Sequence, residues 1–190
     1  DAHIDEIAMT VTDIDDNGFL TVAPCGGIDL RILPARCVTV HGKRAVPAVF
    51  CSNPPHLGGE GKEYDDISKL KIDTMLGAKA KDVISPGDTV TFRTQPTALE
   101  GGRVTGKAFD NRVCVTCLLA LAERLYGKEL PMNVVFLFSD EEELGMRGAK
   151  TAAFDIRADE AIALDVSFGD GPGISSYECG RLDGGPMIGV

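Results

Sequence analysis

The sequence predicts an α/β protein in which a parallel-rich sheet flanked by helices is interrupted by an inserted small β-barrel. The first hundred residues contain short segments of alternating apolar and polar residues separated by turn residues, which is typical of a small barrel or sandwich. After Gly101 and Gly102 the chain alternates between apolar helical segments and continuous apolar strands, the order of elements found in α/β sheets. We therefore expect residues 1–7 and 105–190 to form one α/β domain and residues 8–104 to form the inserted module.

The predicted barrel begins with a hairpin. Ile7, Met9 and Val11 alternate with small and polar residues, as in a half-buried strand. The sequence Asp-Asp-Asn-Gly at residues 15–18 favours a turn, after which residues 19–23 return as the second strand. The other elements predicted here are strands at residues 37–40, 46–50, 69–72 and 89–92, turns at residues 41–43 and 85–88, a loop at residues 52–66, and a short helix near residues 78–83.

The predicted α/β domain contains two helices, each followed by an apolar strand. Residues 111–126 form a strongly apolar helix that ends at Gly127, and residues 147–156 form the second helix. Residues 134–138 and 161–166 are continuous apolar runs, which are typical of strands buried on both faces of a sheet.

Composition excludes two classes of partner. The 190 residues are 44% hydrophobic and 25% charged, as in a globular protein, and carry a formal charge of -10. This acidic balance argues against nucleic-acid binding, which requires a basic surface. The longest apolar run, residues 117–122, is far shorter than the roughly 18–20 residues that cross a bilayer, so we expect no membrane insertion.

The six cysteines are spread along a chain large enough to fold without disulfides, which predicts free thiols in a reducing cytoplasm. Cys114 and Cys117 have the spacing of half a zinc site, but no second pair of cysteines or histidines completes it. We expect both thiols to be buried in the core. The chain begins with Asp1 rather than methionine and ends in an apolar run, and we expect it to be a piece of a longer protein.

One metal-binding pattern is misleading. Residues 13–18 match the first half of an EF-hand loop, but the bidentate glutamate of such a loop would fall on Pro24, between predicted strands. We interpret residues 13–18 as a hairpin turn. His41 and His56, in a predicted turn and a predicted loop without acidic neighbours, are expected to have no functional role.

Four short segments carry candidate metal ligands. His3 and Asp5 project from the same face of an extended strand, so the carboxylate could orient the imidazole; the alternative is a surface strand with ordinary charges. Asp110 lies just before the long apolar helix, where it could be a ligand or simply the helix N-cap. Residues 140–143 are four consecutive acids after the first apolar strand, and Asp165 ends the second.

Because the carboxyl ends of parallel strands meet at one edge of a sheet, we expect these groups to converge there. The acidic run could otherwise be a solvated loop. One imidazole and three or four carboxylates, without sulfur ligands, suit Zn, Co or Mn.

The four segments together resemble the M42 family of dinuclear metallo-aminopeptidases, which includes glutamyl aminopeptidases, tetrahedral aminopeptidases and relatives labelled endoglucanases. The resemblance rests on residues 1–7, 107–112, 142–149 and 163–166, and it continues through residues 17–20, 54–57 and 185–186. It implies a zinc-peptidase-like α/β domain for catalysis and an inserted barrel, residues 8–104, for oligomerisation.

The resemblance also implies the ligands of two divalent metal ions, for which Zn, Co and Mn are the candidates. His3 and Asp165 match ligands of one metal, Asp110 matches the carboxylate that bridges both metals, and Glu143 matches a ligand of the second metal. The last ligand, a histidine, is expected beyond Val190, so the metal set within residues 1–190 is expected to be incomplete.

The remaining implied roles concern catalysis. Glu142 matches the general base and acid, Asp5 matches the partner that orients His3, and a cis peptide bond is implied between Asp110 and Asn111. The implied activity is removal of N-terminal residues from peptides, by a cytoplasmic homo-oligomer that ranges from dimer to dodecamer. Two alternatives stay open: a related metallo-carboxypeptidase or deacylase, and a truncated, non-catalytic relative that acts only in assembly.

Overall fold

A computed structural model of the chain describes residues 1–52, 66–175, 177 and 179–189. Most of the predicted loop at residues 52–66, including His56, lies outside the described residues. The strands are β1 (Ala2–His3), β2 (Ala8–Ile14), β3 (Leu20–Cys25), β4 (Cys37–His41), β5 (Ala45–Phe50), β6 (Ile72–Asp73), β7 (Thr89–Phe92), β8 (Thr97–Leu99), β9 (Arg103–Thr105) and β10 (Phe138–Ser139). The α-helices are α1 (Ala80–Val83), α2 (Phe109–Leu125) and α3 (Arg147–Ile156), and the described 3-10 helices are Leu30–Ile32, Ile67–Lys69, Gly77–Lys79 and Glu100–Gly102.

Strands β2 to β7 form a closed antiparallel barrel in the order β2-β3-β6-β5-β4-β7. Closure gives every strand of the barrel a neighbour on both sides, although β3 and β6 meet only at the Leu20–Ile72 pair. The small barrel predicted from the spacing of turns is therefore confirmed. One local prediction is wrong: the strand expected at residues 69–72 is replaced by the 3-10 helix Ile67–Lys69 followed by β6.

The barrel has a complete apolar core. Side chains alternate along the strands, so that Met9 and Val11 of β2 are buried while Thr10 between them is only half-buried. Each such side chain contributes about 1.5–3 kcal/mol relative to leaving it in water. The largest fully buried core side chains are Met9, Leu20, Leu33, Phe50, Leu70, Ile72 and Ile84.

The β2–β3 connection is the hairpin turn that the sequence predicts. The Oδ1 atom of Asp15 accepts hydrogen bonds from the backbone N–H groups of Asn17 and Phe19, both at 2.9 Å. Gly18 has φ +87°, and a Cβ at this position would lie 2.0 Å from the carbonyl oxygen of Gly77. The carboxylate that an EF-hand would use for calcium therefore stabilises a turn that only glycine can complete.

The α/β part departs from the predicted sheet. Strand β1 pairs in parallel with β10, with Ala2 opposite Phe138 and His3 opposite Ser139. On the other side of β1, the N–H of Leu164 donates to the carbonyl of Asp1 at 2.9 Å. The chain thus places β1 between the two apolar runs, as an α/β sheet requires, but the regular sheet within the described residues is limited to two strands.

The predicted burial of those runs is wrong. Within residues 134–138 only Phe138 belongs to a strand, and residues 161–166 contain none. Val135 is 59% exposed and Ile162 is 75% exposed. The exposed side chains show that these segments are not covered on both faces, which is the condition under which a continuous apolar run forms a central strand.

The helices follow the predictions more closely. Helix α3 has the predicted bounds, and α2 begins two residues earlier than expected and ends one residue earlier. Cys114 is half-buried and Cys117 is exposed, so the expectation that both thiols are buried is wrong for Cys117, although all six cysteines are free. The β8–β9 hairpin was not predicted. Among the described residues, no helix combines the length and the apolar character needed to cross a membrane.

Two glycines with positive φ allow the turn and its close packing to be tested separately. Gly87 has φ +98° and open space within 4 Å of the point that a Cβ would occupy, whereas Gly18 has the same backbone region and a carbonyl contact. We expect Gly87→Ala to lower the free energy of unfolding by about 1–2 kcal/mol through the left-handed conformation alone. Gly18→Ala should cost about 1–3 kcal/mol more because the methyl group displaces residue 77. Urea denaturation of both variants measures the difference, and equal losses would contradict the predicted contact.

Candidate metal centre

His3 is the buried residue around which the predicted site residues converge. It lies at the end of β1, where it is 3% exposed. Its Nε2 atom is 3.0 Å from Oδ1 of Asp110, 3.9 Å from Oε2 of Glu142 and 4.0 Å from Oδ1 of Asp165. The convergence predicted for the edge of the sheet is therefore present, and the alternative of an ordinary surface strand does not describe His3.

Asp5 connects His3 to the acidic loop. One carboxylate oxygen, Oδ1, lies 3.2 Å from Nδ1 of His3 and accepts a hydrogen bond from the N–H of Glu142 at 3.1 Å. The other oxygen, Oδ2, accepts from the N–H of Glu143 at 3.1 Å. Asp5 thus orients the imidazole and, at the same time, holds the backbone of both glutamates; this second contact was not predicted from the sequence.

The electrostatics of the site follow from this crowding of carboxylates. Burial alone would lower the pKa of His3, but the hydrogen bond to Asp110 and the negative charges of Asp5, Glu142 and Asp110 outweigh it and raise the pKa. These carboxylates therefore favour the protonated imidazole, which carries a proton on each nitrogen, over the neutral form. A metal ion at Nε2 would take the place of one of these protons while Nδ1–H stays on Asp5.

Asp110 reaches the site from the first turn of α2. The backbone there is irregular: Ala108 has φ +59°, and Asp110 and Asn111 have non-helical angles within the assigned helix. The peptide bond between Asp110 and Asn111 is cis, as the resemblance implies. The carboxylate of Asp110 lies against His3, and among the described residues it accepts no hydrogen bond from an N–H group of the helix, so the alternative interpretation of Asp110 as the N-cap is wrong.

The acidic run divides into groups that face in different directions. Glu141 is exposed, has φ +56°, and forms an ion pair with Arg147 at 3.6 Å. Glu142 and Glu143 are partly buried and lie toward His3 and the barrel. The interpretation of the run as a solvated loop thus describes Glu141 but not the two glutamates that follow it.

Glu143 lies against the end of strand β3. A Cβ at Gly26 would be 2.7 Å from its Oε2 atom, so the absence of a side chain there makes room for the carboxylate. Burial raises the pKa of Glu143, and the negative charges of Asp110 and Glu142 raise it further against the opposing effect of His3. Glu143 and Asp110 also line a cavity of about 390 Å³ that lies beside the centre.

Asp165 follows the extended segment that runs beside β1. Together with His3 and Asp110 it offers one ligand atom each, and these three atoms all lie within 4.8 Å of one another. One imidazole nitrogen and two carboxylate oxygens form a donor set suited to Zn²⁺ and similar divalent ions. The residues present therefore fit a metal ion, while the division of ligands between two metals stays a prediction.

Further contacts near the site were missed at the level of sequence. Nζ of Lys107 lies 2.6 Å and 2.8 Å from the two carboxylate oxygens of Glu6. Asn111 is 1% exposed, and Arg112 donates from Nε to the carbonyl of Ile4 at 2.9 Å. These residues lie within residues 1–7 and 107–112, the segments that carry the predicted ligands. Their position next to predicted ligands is the sequence signal that could have identified them.

Comparison with known proteins gives a consistent result. The M42 glutamyl aminopeptidase family matches residues 1–190. A putative aminopeptidase of Acetivibrio thermocellus is 37% identical over 196 residues, which is 100% of this chain and 56% of that protein. Among solved structures, the aminopeptidase APDkam598 of the archaeon Desulfurococcus kamchatkensis superimposes with a TM-score of 0.86 at 35% identity, covering 95% of this chain and 51% of that one.

A second solved structure, of the TET1 peptidase of Pyrococcus horikoshii, is described as assembling into a tetrahedron or a large octahedral shell. It has a TM-score of 0.82 and 34% identity, covering 92% of this chain and 54% of the other. The chain thus spans about half the length of the relatives it matches. Since the match extends over every residue of the chain, the protein belongs to the M42 glutamyl aminopeptidase family.

Proposed function

We propose that the complete protein is a metal-dependent aminopeptidase that hydrolyses the N-terminal residue from peptides. The observation that supports this proposal is the convergence of Asp110, Glu142 and Asp165 on one buried imidazole, each within 4.0 Å of its Nε2 atom. These residues come from separate segments of the chain, and the family to which the chain belongs implies the use of a divalent metal.

The proposed metal ligands are His3, Asp110, Glu143 and Asp165. His3 and Asp165 would bind one ion, Asp110 would bridge it to a second ion, and Glu143 would bind the second, with a further histidine beyond Val190. A bound Zn²⁺, Co²⁺ or Mn²⁺ lowers the pKa of water and polarises the scissile carbonyl. The chain supports this arrangement through Asp5, which holds Nδ1 of His3 and leaves Nε2 directed at the carboxylates.

Glu142 is the proposed general base. Its carboxylate is partly exposed and lies 3.9 Å from Nε2 of His3, so it can face both a water molecule and the incoming peptide. Asp5 holds its backbone N–H, which limits the movement of the side chain. In this role Glu142 accepts the proton of the attacking water and passes it to the nitrogen of the leaving amine.

A free amino terminus suits the charge of the site. Glu142 is not among the proposed metal ligands, so its carboxylate is not neutralised by direct metal binding, and it favours a substrate ammonium group over a substrate carboxylate. The cavity of about 390 Å³ beside Glu143 has apolar walls contributed by Phe92 and Phe109 and offers room for a side chain. Of these two features, the charge is the one that favours aminopeptidase activity over the carboxypeptidase alternative.

We propose further that residues 1–7 and 105–190 belong to the catalytic domain and that the barrel within residues 8–104 mediates homo-oligomerisation. A separate role for the barrel is supported by two observations. Its apolar core is formed by residues of the barrel module alone, and the candidate metal ligands lie outside that module. The related TET1 peptidase of Pyrococcus horikoshii is described as assembling into a tetrahedron or a large octahedral shell, which favours a homo-oligomeric assembly. Six free thiols favour a cytoplasmic location.

Replacement of Glu142 tests the catalytic role. Glu142→Gln keeps the size of the side chain but removes the base, so we expect kcat to fall by about 10²–10⁴-fold while metal content is unchanged. Glu141→Gln is the matched control, because this neighbouring acid is exposed and paired with Arg147. Turnover of an aminoacyl p-nitroanilide by the full-length protein measures both. Full activity of Glu142→Gln would exclude the proposed role.

The substrate class is tested with pairs of peptides that differ only at the amino terminus. We expect the full-length protein, supplied with Co²⁺ or Zn²⁺, to cleave free-amino aminoacyl p-nitroanilides and to leave their N-acetylated counterparts intact. Cleavage of the blocked substrates would instead indicate a deacylase, and release of C-terminal residues would indicate a carboxypeptidase. A metal-loaded protein that cleaves none of them would support the non-catalytic alternative.

The raised pKa values of His3 and Glu143 predict how metal binding depends on pH. Both groups must lose a proton to bind metal, and both hold protons more tightly than usual, so acid competes with metal. We expect the Kd for Co²⁺ to rise by about tenfold or more between pH 8 and pH 6. Isothermal titration calorimetry in two buffers also measures the protons released.

His41→Ala is the control for this pH dependence, because Nε2 of His41 lies 2.9 Å from Oγ1 of Thr91 on the barrel. Its pH profile should match that of the wild type. A Co²⁺ affinity that is independent of pH in the wild type would contradict the assignment of His3 as a ligand.

A further inference from the structure

The two residues that follow Asp110 each donate a hydrogen bond to a backbone carbonyl beside another residue of the centre. Nδ2 of Asn111 donates to the carbonyl of Leu164 at 2.8 Å, and Leu164 directly precedes Asp165. Nε of Arg112 donates to the carbonyl of Ile4 at 2.9 Å, and Ile4 directly precedes Asp5. A single short segment therefore contacts two distant parts of the chain immediately before a carboxylate of the site.

We propose that Asn111 and Arg112 are positioning residues that orient the peptide groups leading into Asp165 and Asp5. The inference rests on the proposed metal centre. Because a peptide group is planar, a hydrogen bond to its carbonyl oxygen also fixes the N–Cα direction of the next residue. Asn111 thereby sets the direction of Asp165, and Arg112 sets that of Asp5. Because both residues directly follow Asp110 in the chain, they position Asp165 and Asp5 relative to Asp110.

The burial of Asn111 supports a role beyond packing. The residue is 1% exposed, and its Oδ1 atom has no hydrogen-bond partner among the described residues. A buried, unpaired amide oxygen costs about 1–3 kcal/mol, which an apolar side chain of the same size would avoid. The donated hydrogen bond to Leu164 is the feature that an apolar side chain could not supply.

The contact matters because the segment before Asp165 has few other restraints. The N–H of Leu164 donates to the carbonyl of Asp1, and the carbonyl of Ile162 accepts a hydrogen bond from the amino group of Asp1. Both of these bonds are made to the first residue of the chain. Asp165 itself accepts a hydrogen bond from the N–H of Val166 at 2.8 Å. Among the described residues, the side chain of Asn111 therefore connects the segment before Asp165 to helix α2, which carries Asp110.

Arg112 acts through Asp5. The carboxylate of Asp5 contacts Nδ1 of His3 and both N–H groups of Glu142 and Glu143, so a change in its direction would reach three residues of the centre. The N–H of Ile4 donates to Ser139 at 2.8 Å, and Arg112 holds the carbonyl of the same residue. The two contacts together hold both polar backbone groups of Ile4 at the end of β1.

The test uses three variants of the full-length protein and Co²⁺ as the probe. Asn111→Leu and Arg112→Met keep approximate side-chain volume and remove the hydrogen bond. Arg36→Met is the matched control, because its Nε donates to the carbonyl of Ile32 at 3.0 Å in the barrel part. The readouts are the Co²⁺ dissociation constant, the visible absorption spectrum of bound Co²⁺, and the unfolding temperature of the metal-free protein.

We expect Co²⁺ binding to weaken by about 10–100-fold in Asn111→Leu and by about tenfold in Arg112→Met, with an altered absorption spectrum in both. Arg36→Met should bind Co²⁺ within about twofold of the wild type on the same principle, since the described hydrogen bonds of Arg36 all lie within residues 8–104. Wild-type affinity and spectrum in both site variants would overturn the inference, even if their unfolding temperatures fall. If Asn111→Leu does not fold, Arg112→Met decides the question alone, because Arg112 is exposed.

This outcome is separable from a failure of the proposed function. A wild-type protein that binds no Co²⁺ would overturn both the proposed metal centre and the positioning roles. Wild-type binding by both variants, in a protein whose wild type binds Co²⁺ and cleaves free-amino substrates, would overturn the positioning roles alone.

Discussion

The contact between the buried imidazole of His3 and the carboxylates around it is the interaction on which the organisation of the centre depends. His3 is 3% exposed, and a buried, protonated imidazole is costly unless opposite charges surround it. Asp5 and Asp110 supply that charge from opposite sides, at 3.2 Å and 3.0 Å. The same carboxylates repel one another, so a positive charge among them, on the imidazole or on a bound metal ion, is stabilised.

The molecule combines two regions that differ in how fully their strands are paired and their apolar side chains are buried. The barrel closes on itself and buries its own apolar side chains, so its packing is determined within one continuous part of the chain. The part that carries the candidate ligands has one short parallel strand pair and several exposed apolar residues, including Val135 and Ile162. Its site is held together mainly by side-chain contacts to backbone groups, such as those of Asp5 and Asn111.

The predictions that were confirmed depend on short-range chemistry. The turn at residues 15–18 follows from an aspartate that can accept backbone hydrogen bonds and a glycine that can adopt positive φ. Helix α3 has the bounds expected from its local sequence. By contrast, residues 134–138 and 161–166 were predicted to be buried strands because they are apolar, but an apolar run indicates only that burial is favourable. Whether it is buried depends on what packs over it.

The sequence by itself determined the kinds of residue available to the centre, the order of the segments that carry them, and the alternating pattern from which the barrel forms. Only the tertiary structure decided that Asp110 meets His3 instead of capping its helix, that Asp5 holds the backbone of two glutamates, and that Asn111 reaches the segment before Asp165. These contacts join residues 53 to 138 positions apart. Local propensities act over a few residues, so contacts at such separations arise only when the folded backbone brings the segments together.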